Sequence, residues 1–100
     1  MSTSASSPVA VVATLTVLPG QRDAVLAALR EAVVAVRGEP GCESYVLHED
    51  SARPERLVMI ERWSSAAALE QHAQAPAFTA LAARLQGRAE LQVLTLKPLF

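Results

Sequence analysis

The stretch Arg56-Leu57-Val58-Met59-Ile60-Glu61-Arg62-Trp63, followed at once by Ser64-Ser65-Ala66-Ala67-Ala68-Leu69-Glu70-Gln71-His72, decides how the chain is read. Its first half alternates with the period of a strand, placing Leu57, Met59, Glu61 and Trp63 on one face and Val58, Ile60 and Arg62 on the other. Both faces carry apolar residues, so both need cover. Ser64 or Ser65 then suits a helix N-cap, because a serine oxygen can accept a hydrogen bond from an exposed backbone N–H. The only Trp and one of the two His residues close this strand-to-helix unit, and a pocket is expected there.

Working outward, residues 9–17 are rich in β-branched side chains and stop at Pro19-Gly20, which predicts a first strand bounded by a turn. From Gln21 the period changes: Val25, Leu26, Leu29, Ala32, Val33 and Val36 recur at steps of three and four, opposite Arg22, Asp23, Arg30, Glu31 and Arg37. This is an amphipathic helix, with Arg37 placed in its last turn and Gly38, Pro40 and Gly41 ending it. A second strand is expected over 42–49, with Tyr45 and His48 on opposite faces, then a hairpin connection over 50–54. Arg53-Pro54-Glu55 reads as a solvated turn. Pro76 splits the next helix in two, and a fourth strand covers 89–96. Residues 1–8 are small and polar and read as a disordered tail, leaving one domain over 9–100.

The order strand, helix, strand, strand, helix, strand predicts an α+β fold: the ferredoxin-like split βαβ, a four-stranded antiparallel sheet with helices on one face. Strands one and three are apolar on the uncovered face as well. A second copy supplies the missing cover, so a homodimer is expected whose sheets face each other, with a ligand cleft between sheet and helices.

Composition narrows the function. Charged residues make up 19% of the chain without a basic run, and only four side chains are aromatic, which argues against a nucleic-acid partner. The apolar run from Val9 is far shorter than the ~20 residues of a membrane span, so no membrane partner is expected. The lone Cys42 cannot close an internal disulfide and reads as a small buried thiol in a cytoplasmic protein. No Gly-rich phosphate loop follows a strand, and no Cys or His cluster has ligand spacing, so neither a cofactor nor a metal is expected.

Among single residues, Trp63 reads either as core or as a flat wall for an aromatic ligand. His72 is capping or solvent-facing on the plain reading. If its helix packs through Ala66, Leu69 and Ala73, its ring reaches the cleft as a base suited to a phenol at neutral pH. Glu61, a carboxylate on an apolar face, calls for a partner such as Arg62 of a neighbouring chain or Arg56. His48 is expected to be exposed.

Residues 17–20, Glu39-Pro40-Gly41-Cys42 with Tyr45, Glu61-Arg62-Trp63, Leu69-Glu70-Gln71-His72 and Pro76-Ala77-Phe78 occur in an order that resembles the antibiotic biosynthesis monooxygenase domain family of dimeric α/β barrels. The likeness spans residues 9–100 and is nearest to the small quinol monooxygenase-like members. It implies that O₂ oxidises a quinol, polycyclic phenol or anthrone with no metal, haem or flavin, the substrate supplying the electrons. On that likeness His72 is the catalytic base, and Trp63, Glu61, Phe78, Met59 and Tyr45 contact substrate. The anthrone oxygenases share the Trp, but their Asn falls at Met59 and their Tyr at Leu69. In the haem-degrading branch the functional Asn, Trp and His fall at Ala13, His72 and Ala82, which sets haem degradation aside. Two other classes stay open: an isomerase or epimerase acting on a small carbonyl metabolite, and a stress-response protein that binds a hydrophobic metabolite without converting it.

Overall fold

The structure is a computed structural model that describes residues 7–100, so most of the tail expected over 1–8 lies outside the described residues. The elements follow the order β1 (Val9–Val17), α1 (Arg22–Val36), β2 (Cys42–Asp50), β3 (Arg53–Trp63), α2 (Ala66–Gln74), α3 (Pro76–Leu85) and β4 (Ala89–Leu96). All neighbours in the sheet are antiparallel, in the order β2-β3-β1-β4. This is the ferredoxin-like α+β fold, with the helices on one face of the sheet.

The core forms where that face meets the helices. Val11, Ala13, Leu15 and Val17 of β1 and Leu57, Met59 and Trp63 of β3 point towards Val25, Ala28, Leu29, Ala32 and Val36 of α1, and all are buried. The apolar stripe of α1 is rotated slightly from the expected one, because Ala28 takes a core position while Leu26 and Val33 are only half-buried. A small side chain lets the helix approach the sheet more closely along that line. Arg37 caps α1 rather than sitting in its last turn, and its Nε donates to the Tyr45 carbonyl at 3.0 Å, tying the helix end to β2.

The β2–β3 hairpin is tighter than expected. Strand pairing continues to Asp50 and resumes at Arg53, leaving Ser51-Ala52 as the turn, and Asp50 Oδ1 accepts from the Ala52 N–H at 2.9 Å. This side-chain turn mimic lets a short polar segment reverse the chain. Arg53, Pro54 and Glu55 thus open β3 instead of forming a loop. A register shift after Glu49 absorbs Pro54, and β1 pairing extends only as far as Arg56, so the missing N–H of the proline breaks no ladder bond there.

Ser65 caps α2, accepting from the Ala68 N–H at 3.1 Å. Pro76 stands at the start of α3, where its missing N–H costs nothing. Helix α2 packs by a different stripe from the expected one: Ala68 and His72 are buried, Leu69 is half-buried, and Ala66 and Ala73 are exposed. The turn before β2 causes this. Gly41, at φ +81°, lies so close to Ala68 that a side chain there would meet it and the Ser64 hydroxyl. The Gly41 carbonyl also accepts from the Ser64 N–H at 2.8 Å. Pinned through Ala68, the helix turns His72, one turn further on, into the interior.

Candidate active site

Strand register assembles one side of the site. Tyr45, Glu61, Val11 and Thr95 form one row across the helix-covered face, and Leu47, Met59, Ala13 and Val93 form the next. Helix α2 adds Leu69 and His72, and α3 adds Phe78, Leu81, Ala82 and Leu85. Between them lies a cavity of about 250 Å³. Its polar side chains are Tyr45, Glu61 and His72, which lie close together, and Thr95 across the sheet on β4; the rest of the wall is apolar. Met59 and Leu69, and likewise Ala13, His72 and Ala82, all line it.

His72 is 5% exposed, buried rather than facing solvent. Its ring stacks on Trp63 with centroids 4.6 Å apart, and Tyr45 and Phe78 meet it edge-on at 5.7 and 5.2 Å. Nδ1 lies 2.8 Å from Glu39 Oε1. Nε2 has no hydrogen-bond partner among the described residues, which contain no fully buried side-chain nitrogen or oxygen left unpaired. It is therefore not fully buried, in a residue that lines the cavity.

Of its two readings, Trp63 takes the core one and is absent from the cavity wall. The indole is fully buried behind His72, with the imidazole between it and the cavity. It also donates from Nε1 to Glu61 Oε1 at 2.9 Å. Within the chain that bond is the partner of Glu61 in place of Arg56, which pairs with Asp50 at the surface, where Arg62 pairs with Glu43. The reason is the strand period, since Trp63 shares a face with Glu61 and both arginines take the other. Burial pushes the Glu61 carboxyl above its usual range, while the Trp63 hydrogen bond and the nearby His72 oppose the rise. Burial, reinforced by Glu61 and Glu39, likewise raises the Tyr45 phenol, which stays a hydrogen-bond donor at neutral pH.

Met59 and Phe78 line the cavity as well, and His48 is exposed on the opposite face of β2, its Nδ1 3.1 Å from the Val46 carbonyl. Cys42 is half-buried, and burial, then Glu39 and Glu61, push its thiol up, away from the reactive thiolate. Among the described residues no group of three or more His, Cys, Asp and Glu side chains could hold a metal ion, and no helix is long and apolar enough to cross a membrane.

The residue that sequence reasoning passed over is Glu39. A signal was available: an acid just beyond the C-terminus of α1 faces the negative end of the helix dipole, an unfavourable place without another partner.

A sequence model of the family described as antibiotic biosynthesis monooxygenase matches residues 8–84. The chain is 38% identical over 93 residues to "Putative monooxygenase Rv0793" of Mycobacterium tuberculosis, a match covering 93% of this chain and 85% of that one. It is 35% identical over 99 residues to "Probable quinol monooxygenase YgiN" of Escherichia coli K12, covering 88% and 95%. The solved structure of Rv0793 superposes with a TM-score of 0.89 at 34% identity, covering 94% of this chain and 97% of that one.

Proposed function

This chain belongs to the antibiotic biosynthesis monooxygenase family, and from that premise we propose that it oxidises a quinol or related phenol with O₂, His72 acting as the base. The observation that carries the reading is His72 in the wall of a largely apolar cavity, with Tyr45 and Glu61 in the same wall and Nδ1 engaged by Glu39, which leaves Nε2 for a ligand. An aromatic ring suits the apolar walls, and its hydroxyl groups suit these polar side chains. A sugar-derived carbonyl compound would leave its hydroxyls unpaired against Val11, Ala13 and Met59, at a cost of several hydrogen bonds.

Nε2 takes the hydroxyl proton, and the phenolate passes one electron to O₂, giving a semiquinone radical and superoxide. The two join in a C–O bond at a ring carbon, and the imidazolium returns its proton to the peroxide. The distal oxygen leaves as water with the hydrogen of that ring carbon, and a carbonyl remains. One oxygen atom stays in the product, the other becomes water, and the substrate supplies all four electrons. His72 ends as it began. Positioned proton removal of this kind contributes about 10²- to 10⁴-fold.

A homodimer is part of the same proposal. On the helix-free face Val46, Ile60, Val12 and Leu94 form one row across all four strands, with Ile60 44% and Leu94 62% exposed. Strand β4 also leaves Leu91 and Val93, on the cavity side, exposed. A second copy laid sheet to sheet on the helix-free face removes the Val46, Ile60, Val12 and Leu94 row from water.

Oxygen uptake with a panel of quinols, phenols and anthrones tests the function. Consumption matched by product, with one atom of isotopically labelled O₂ in the product, is the expected result. Tight binding of the panel without uptake would leave a binding protein instead.

A further inference from the structure

We infer that Glu39 is the positioning residue of His72: it holds the Nδ1 proton, so that the neutral ring presents its lone pair at Nε2, inside the cavity. The role assigned to Glu39 in turnover rests on the reading of His72 as the base.

The neutral imidazole has two tautomers, and only the one protonated on Nδ1 can accept a proton at Nε2. Trp63, Tyr45 and Phe78 fix where the ring lies, but aromatic contacts act on the ring as a whole and do not choose between its nitrogens. The choice falls to the hydrogen bond. A carboxylate only accepts, so the 2.8 Å contact between Glu39 Oε1 and Nδ1 makes Nδ1 the donor. The pair is well shielded, with the His72 side chain 5% and the Glu39 side chain 16% exposed.

The backbone holds Glu39 in place. Its N–H donates to the Val36 carbonyl at 2.9 Å and its carbonyl accepts from the Cys42 N–H at 3.2 Å, so the turn between α1 and β2 is closed on both sides of it. Two residues on, Gly41 rests on Ala68, one turn before His72 on α2. The same contact that rotates His72 inward thus brings Glu39 to it. Glu39 is absent from the cavity wall. It acts through His72, first by selecting the tautomer and then by offsetting the positive charge that the ring gains with the substrate proton.

The test is a long-range ¹H–¹⁵N spectrum of the two histidine rings in the full chain, recorded about two pH units above the ordinary imidazole value of ~6.5, with His48→Gln assigning the His72 signals. In the wild type the expected pattern is a protonated Nδ1 and a bare Nε2. Glu39→Ala should move the proton partly or wholly to Nε2. Glu39→Gln should keep it on Nδ1, because the amide oxygen still accepts, yet lower kcat by about 10- to 100-fold with KM nearly unchanged, since the charge is gone. A wild-type ring protonated on Nε2, or the same tautomer in wild type and Glu39→Ala, would overturn the inference, as would a Glu39→Gln variant with wild-type kcat. The tautomer readings need no turnover. If they come out as expected while the wild type consumes no oxygen, positioning by Glu39 stands and the proposed reaction falls.

Discussion

Replacing Gly41 by alanine probes the contact on which the site is built. Two costs add. The residue sits at φ +81°, where a Cβ crowds the following carbonyl at about 1–2 kcal/mol. The new methyl would also lie 2.8 Å from the Ser64 hydroxyl and closer still to the Ala68 Cβ, so strand end and helix start must separate, the usual overpacking cost of about 1–3 kcal/mol. The sum is about 2–5 kcal/mol, a large share of a small domain's stability. Gly20 is the internal control, because its φ of +79° is nearly the same but no atom lies within 4 Å of the place its methyl would take. Gly20→Ala should therefore lose only the backbone share. In urea titrations at one protein concentration, the two variants should differ by about 1–3 kcal/mol at equal m-values, or about 5–20 °C in Tm. Equal losses within ~0.5 kcal/mol would refute the reasoning, since the close approach of Gly41 to α2 would then have no energetic weight.

Two further predictions follow from the buried carboxylate and the open sheet. Glu61 has a raised folded-state pKa, so below the unfolded carboxyl value it is protonated in both states, and as pH rises through the folded value the folded form pays to ionise while stability falls. Glu61→Gln keeps an acceptor for the Trp63 N–H and removes that titration: its Tm should match the wild type near pH ~4 and exceed it at neutral pH, and parallel Tm curves would contradict the raised carboxyl. Ile60→Lys places a charge in the middle of the exposed apolar row, so light scattering at micromolar concentration should show dimer for the wild type and monomer for the variant, whereas a wild-type monomer would remove the dimer from the account.

Most of the architecture was legible because the apolar period changes cleanly along the chain: Val25, Leu29 and Val36 mark a helix, and Leu57, Met59 and Trp63 mark one strand face. The hairpin ends were less legible, since Arg53 and Pro54 look like a loop unless the register shift after Glu49 is known. At the site, local spacing placed Tyr45 and Glu61 on their faces correctly but misjudged the packing stripe of α2, because a nonlocal contact through Gly41 sets the rotation of that helix. The same limit hid Glu39. It meets His72 across 33 positions of sequence, and no periodicity connects a turn to a helix two strands later. Strand alternation gives the face of Trp63 but not its depth, so core and cavity wall could not be told apart until His72 was seen stacked on it.

The proposed reaction requires the cavity to hold an aromatic hydroxyl within reach of His72 Nε2. Its most direct test is kcat for oxygen uptake at saturating quinol in wild type and His72→Ala, with the melting curve of each recorded alongside. A fall of about 10²- to 10⁴-fold is predicted for His72→Ala, with no recovery in His72→Gln, because an amide can hydrogen-bond the hydroxyl but cannot take its proton. An unchanged kcat in a folded His72→Ala variant would contradict it.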